Sequence, residues 1–316
     1  MSLLFPLMSE FNWIKQYFAP LATRKGAAGL VDDAAELSGK ASVVTVDALV
    51  EGVHFLPDDP IDTVARKLVR VNVSDMIAKG ARPDEALLTL GWPAGRDEAE
   101  LAQFAKALGE ELGVWGASLI GGDTAASPNG LFLSLTLTGV PTNARAPIRR
   151  SGAQLGDLIW VSGRIGGGAL GLADARQSIT GAAADYYRVP EIPELNLADL
   201  IAAHASASMD ISDGLLADAQ KLLAASGCAG SIALEKVPVF GMAAAMPLEA
   251  KLALCTGGDD YQCLFCAPEA ETGVLLESGL ELSQIGVISA GEGLSLTWEG
   301  GPLELPQQAG FEHNFS

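Results

Sequence analysis

Positive charge is scarce in this chain: 20 Lys and Arg stand against 39 Asp and Glu, a formal net charge of −19. A protein this acidic does not grip nucleic acid through a general basic surface, and an anionic membrane repels it. Aromatic residues are also scarce, at 6%, and Ala, Gly and Leu dominate, which points away from an all-β fold. No apolar run is long enough to span a bilayer. The start, Met1-Ser2-Leu3-Leu4-Phe5-Pro6-Leu7, lacks the basic flank and small-residue cleavage site of a signal peptide. A cytoplasmic protein is expected.

The three histidines, His54, His204 and His313, are scattered, which argues against a zinc site. Of the four cysteines, Cys263 and Cys266 form a C-x-x-C inside Tyr261-Gln262-Cys263-Leu264-Phe265-Cys266, an apolar strand-like run. Residues three apart on a strand point to opposite faces and cannot jointly hold a metal. Buried free thiols are expected. There is no G-x-x-x-x-G-K-[ST] and no H-R-D or D-F-G, so neither a Walker-type site nor a protein-kinase fold is indicated.

What is present is enough chain for two domains: 316 residues, about half of them apolar. Ser42–Asp47 is β-branched and reads as a strand. Thr63–Lys79 reads as a helix ending near Gly80, and Glu98–Leu112 as a second one ended by Gly113. Leu131, Leu133, Leu135 and Leu137 alternate with Ser134, Thr136 and Thr138 in a half-buried strand. Between Pro141 and Asp157 the pattern lapses into Pro, Gly, Arg and Asn, and the domain boundary is placed there, dividing 1–145 from 146–316. Asp157–Ser162 is a strand leading into glycines, and Ser212–Ala225 a helix with Ser212 as its N-cap and Gly227 past its end. The expected class is α+β in two α/β domains: a mixed or antiparallel N-terminal sheet and a C-terminal sheet with packed helices.

Acidic clusters recur at Asp32-Asp33, Asp47, Asp75, Gly121-Gly122-Asp123-Thr124 and Asp210-Ile211-Ser212-Asp213-Gly214. Singly, each is equally a solvated turn, an Asx turn or a helix cap. Asp75 says more. With Val64, Leu68, Val71 and Ala78 it falls on one helical stripe, and a carboxylate on an apolar stripe is costly unless paired or metal-bound. Hard carboxylate oxygens with few bases among them suit Mg²⁺. One further pattern, Gly166-Gly167-Gly168-Ala169-Leu170-Gly171, matches the dinucleotide-binding G-x-G-x-x-G. A lone match in a glycine-rich chain is weak, and close helix–strand packing is the better reading.

At these motifs the chain resembles the thiamine-monophosphate kinases, in the superfamily of aminoimidazole ribonucleotide synthetase and selenophosphate synthetase. The matching pieces include Asp32-Asp33-Ala34-Ala35, Asp47-Ala48-Leu49-Val50-Glu51-Gly52-Val53-His54-Phe55, Asn72-Val73-Ser74-Asp75, Gly121-Gly122-Asp123-Thr124, Arg150-Ser151-Gly152-Ala153, Met209-Asp210-Ile211-Ser212-Asp213-Gly214-Leu215 and Gly257-Gly258-Asp259-Asp260-Tyr261. They run in family order over nearly the whole chain. The resemblance implies phosphorylation of thiamine monophosphate by ATP with several Mg²⁺ ions, and a homodimer paired through the N-terminal sheets; an acceptor phosphate that is already largely a dianion needs no general base. It implies that Asp33, Thr45, Val46 (by its backbone), Asp47, Asp75, Asp123, Asp210 and Asp213 hold Mg²⁺. Gly122, Asp123, Arg150 and Ser212 would contact ATP, and His54, Asp259 and Phe311 the thiamine substrate.

The chain departs from the family pattern at Val31, where Gly is usual, at Val46, where a hydroxyl is common, and at Asp259, where Glu is usual. Residues 1–7 precede the usual family start and read as a dispensable extension. The competing functions are the sister ligase that closes the ring of a formylglycinamidine ribonucleotide, a nucleotide-binding module without turnover, and an NAD-linked dehydrogenase resting on Gly166–Gly171 alone.

Overall fold

The computed structural model describes residues 28–29, 31–36, 43–143, 146–241 and 246–312. The proposed extension at residues 1–7 and His313 lie outside these residues. Two sheets divide the chain in sequence order. The first contains β1 (Ala35–Glu36), β2 (Val43–Val50), β3 (Ala81–Pro93), β4 (Ser118–Ser127) and β5 (Phe132–Pro141), in the order β1-β2-β5-β3-β4. It is antiparallel except for the parallel β3–β4 pair. The second holds β6 (Leu158–Ser162), β7 (Ala207–Asp210), β8 (Ala229–Ala233), β9 (Cys263–Ala267), β10 (Leu282–Ser289), β11 (Gly293–Trp298) and β12 (Gly301–Leu303), in the order β12-β11-β8-β10-β6-β9-β7. Only its β8–β11 pair is parallel. The α+β expectation holds.

Helices pack on both sheets: α1 (Ile61–Ala78), α2 (Glu98–Val114), α3 (Gly167–Arg176), α4 (Ala182–Arg188), α5 (Asn196–His204), α6 (Leu215–Ser226), α7 (Leu248–Cys255) and α8 (Thr272–Glu277). No helix among the described residues is long and apolar enough to cross a membrane.

The alternation read in β5 is real: Leu133, Leu135 and Leu137 are fully buried, while Ser134, Thr136 and Thr138 are half-buried. Each buried leucine contributes roughly 2 kcal/mol of apolar transfer. Helix α1 covers these leucines, but it is not the one-sided amphipathic helix that its stripe suggested. Lys67, Asn72, Ser74 and Asp75 are buried along with its apolar residues. The reason is that α1 lies between the two sheets, packing on β2, β3 and β5 and also on β7 and β9. One hydrophobic cluster therefore joins Leu133 and Leu135 to Leu197, Ile201, Trp160 and Phe265 of the second half.

Strand β9 shows the opposite-faces rule directly. Cys263 and Phe265 face this shared cluster, while Leu264 and Cys266 face the interior of the second half. All four cysteines are free, and only Cys228 is not buried.

Two helix ends differ from expectation. Helix α2 runs through Gly113 and stops at Gly116, whose φ is 76°. The Ala117 N–H donates to Leu112 O at 2.9 Å and the Gly116 N–H to Gly113 O at 3.2 Å, a Schellman motif in which glycine takes the left-handed position. At the start of α6, Ser212 is not the cap. The first helical residue is Leu215, and the amides before it are served by another residue, described below.

Candidate active site

Strand β2 aims Thr45 and Asp47 toward α1, on the same side as the buried Val43 and Leu49. Val46, between them, points outward and is 59% exposed. Only its backbone can serve an interior site. Asp75 is on the last turn of α1, Asp33 on the loop before β1, and Asp210 ends β7. These three bring carboxylate oxygens within 4.8 Å of one another.

Hydroxyls and cations hold this set in place. The Thr45 hydroxyl donates to Asp75 Oδ2, and also lies 3.2 Å from the backbone oxygen of Asp33. The Ser74 hydroxyl donates to Asp210 Oδ2 at 2.6 Å. Lys79, fully buried, pairs with Asp32 and Asp33 at 2.7 Å each and donates to Ser208 O at 2.7 Å. Arg150 pairs with the other oxygen of Asp33. The expectation of few bases among the acids is therefore corrected: burial forces cations in with the carboxylates. Lys79 was missed because its partners lie in a loop far upstream, and no local spacing signals the pair.

The balance is uneven. Burial alone would raise the pKa of Asp33, but Lys79 and Arg150 overcome it and bring the group down to about 2. Asp47 is pushed up to about 6, by burial first and then by the charge of Asp33. Asp75 and Asp210 lie well above the usual carboxylate range, again by burial first, then by neighbouring aspartates. Asp75 and Asp210 are thus short of positive charge, and their oxygens converge with those of the paired Asp33 from three parts of the chain, with Asp47 close by and raised as well. A hard divalent cation fits this donor set and would relieve that repulsion.

Beside it lies a pocket of about 500 Å³ lined by Asp47, His54, Ser212, Asp213, Asp259 and Phe311, among others. Residues far apart in sequence meet here, including all three expected at the substrate. The Val50 N–H donates to His54 Nδ1 at 3.0 Å, so in the neutral ring the proton sits on Nε2. The Phe311 N–H donates to Asp213 O at 2.8 Å, docking the C-terminal segment on this wall. The amides of Ser212, Asp213 and Gly214 all donate to Asp218 Oδ2 at 3.0–3.2 Å. Asp218, not Ser212, serves this helix start, and Lys221 bridges Asp218 and Asp213.

Gly122 and Asp123 stand apart. They lie on β4, an exposed edge strand, where Asp123 Oδ1 accepts the Thr124 N–H at 2.9 Å. Asp123 is not in the close carboxylate set.

Two family models match the chain: AIR synthase related protein, N-terminal domain, over residues 31–141, and its C-terminal domain over residues 154–299. Thiamine-monophosphate kinase of Caulobacter vibrioides is 38% identical over 96% of this chain and 91% of its own length. That of Escherichia coli K12 is 35% identical over 96% and 98%. The chain belongs to the thiamine-monophosphate kinase family. Among solved structures, AaThiL complexed with AMPPCP and TMP superposes with a TM-score of 0.84 at 28% identity, over 99% of each chain.

The glycine run that matched a dinucleotide fingerprint is explained within this thiamine-monophosphate kinase fold. The amides of Gly166 and Gly168 donate to the carboxylate of Asp260, at 2.9 and 3.3 Å. These amides are thus already engaged by a carboxylate of the chain itself. A Cβ at Gly171 would fall on the carbonyl oxygen of Ala183, so this glycine permits close packing of α3 on α4. The glycines do serve close packing, but of helix on helix and not of helix on strand as expected.

Proposed function

We propose that this chain transfers the terminal phosphoryl group of ATP directly to the phosphate of thiamine monophosphate, giving ADP and thiamine diphosphate. The observation that carries this reading is the pocket itself, where Asp47, Ser212 and Asp213 meet His54, Asp259 and Phe311 beside the Asp33–Asp75–Asp210 set. The relative complexed with AMPPCP and TMP supports it.

The acceptor is a phosphate monoester with a second pKa near ~6, so it is largely a dianion at neutral pH. No residue need deprotonate it. Of the two described histidines, His54 is on the pocket wall and His204 pairs with Glu271 at 2.7 Å elsewhere. The task of the residues is to bring two polyanions together in an acidic cleft.

Asp33, Asp75 and Asp210 would hold Mg²⁺, with Thr45, the Val46 carbonyl, Asp47, Asp123 and Asp213 completing further shells. When bound, Mg²⁺ neutralises phosphate oxygens and aligns them for in-line displacement. Gly122, Asp123, Arg150 and Ser212 form the nucleotide side. His54 presents its Nε2 proton to the acceptor, and Phe311, 48% exposed, stacks on the cationic thiazolium ring.

Residues 1–145 are assigned to metal binding, nucleotide binding and pairing, and 146–316 to completing the nucleotide and acceptor sites. A homodimer through the N-terminal sheets is supported by β4, an edge strand with Leu119 and Ile120 about half exposed.

The test is ADP release with thiamine monophosphate, with a formylglycinamidine ribonucleotide, and with no acceptor. Matching amounts of ADP and thiamine diphosphate are expected in the first reaction alone. ADP formed only with the ribonucleotide would assign the sister ligase activity instead.

A further inference from the structure

Lys67 has no part in the chemistry above, yet it is among the most thoroughly buried side chains in the molecule, 1% exposed on α1. Its ammonium lies 2.8 Å from Asp259 Oδ2 and 3.0 Å from the backbone oxygen of His54. It also sits 4.3 Å from the centre of the Tyr187 ring. One cation thus touches both polar residues assigned to the acceptor end of the pocket.

Asp259 is held on its other side as well. Its Oδ1 accepts the Tyr261 hydroxyl at 2.8 Å. Asp259 and Tyr261 have φ of 68° and 51°, a left-handed backbone that side-chain-bearing residues adopt only when their surroundings impose it. Their amides donate to Ser212 O and Ile211 O at 2.9 and 2.7 Å. The loop carrying His54 is tied to the same helix as Tyr187: Arg188 of α4 donates to Asp59 Oδ1 at 2.8 Å.

We propose that Lys67 is a positioning residue that sets acceptor selectivity. It fixes the spacing of His54 and Asp259, and it cancels the charge of Asp259, so that this wall offers a hydrogen-bond acceptor and not a bare anion. A bare carboxylate attracts any small cation. A paired one favours a neutral N–H correctly placed on the acceptor's base and leaves the ring cation to the face of Phe311. This inference rests on the proposed function.

Steady-state kinetics of wild type, Lys67→Met, Asp259→Asn and the double variant test it. Lys67→Met raises KM for thiamine monophosphate about tenfold or more, with kcat and KM for ATP within about threefold of wild type. Tetramethylammonium becomes a competitive inhibitor against thiamine monophosphate in Lys67→Met and stays inert toward wild type and the double variant. The double variant is no worse than Lys67→Met, because removing Asp259 removes the charge left unpaired. If Lys67→Met does not fold, Lys67→Gln, which keeps a donor, shows the same KM split. Equal changes in both KM values, or additive effects without tetramethylammonium inhibition, overturn the proposal. A wild-type enzyme inactive on thiamine monophosphate overturns the functional reading instead.

Discussion

Asp75 and Asp210 approach within 4.8 Å of each other from different halves of the chain, each held by a single hydroxyl, Thr45 on one and Ser74 on the other. Among the described residues neither forms an ion pair with a lysine or arginine, unlike Asp33. Folding alone therefore leaves this pair under repulsion.

Asp75→Asn tests what that repulsion is for. Turnover should fall about 100-fold or more, while stability without Mg²⁺ rises by about 1 kcal/mol as the strained charge is removed. The increase in Tm that Mg²⁺ gives the wild type should shrink in the variant. Wild-type turnover in Asp75→Asn would remove the metal assignment.

Mg²⁺ titrated past the ATP concentration should keep raising the rate if, as proposed, the carboxylate set takes metal beyond the ion that ATP carries. Initial rates at fixed ATP show this, and a plateau at one Mg²⁺ per ATP would count against a multi-metal site.

Asp260 gives a pH signature separate from catalysis. Burial pushes its pKa up from 3.8 to about 8 against the amides of Gly166 and Gly168 that favour its charged form. A carboxyl raised on folding stabilises the native state at pH below its unfolded value, and that contribution is lost as pH rises through the folded value. Between about pH 4 and pH 8 the loss approaches ~1.4 kcal/mol per pH unit at most. Asp260→Asn should flatten this part of the profile. Urea midpoints at pH 6 and pH 8.5 decide it, and parallel profiles in the two proteins would rule the assignment out.

Gly113 and Gly116 should respond oppositely to alanine. Gly113 is inside α2 with nothing within 4 Å of a new Cβ, so Gly113→Ala should stabilise by about 0.5–1 kcal/mol. Gly116 has φ of 76°, and Gly116→Ala should cost about 1 kcal/mol. Thermal melts of the two variants read the sign directly.

Much of this could be read from the chain itself. The stripe that put Asp75 among Val64, Leu68 and Val71 is a local pattern, and so is the alternation of β5. Each needs only the period of its own element. The three residues expected at the substrate meet in one pocket because motif order carried them there. Lys67, Lys79 and Asp218 were not legible. Their partners lie in other elements or in the amides of a preceding turn, and a lysine in a helix reads as solvated until the packing is known. The full burial of α1 was missed for the same reason: periodicity reports one buried face, and the second face is covered by a sheet formed later in the chain.

That double covering of α1 has a consequence for how the protein can be dissected. Trp160, Phe265 and Leu197 of the second half are buried in the same cluster as the leucines of the first. Cut at the linker, each half would present a raw apolar face to water, so each fragment should be less stable and less soluble than the whole. The second half keeps a cluster of its own around Val161, Leu216 and Ile232, but both sheets contribute to the one around α1, and the molecule should melt as a single piece.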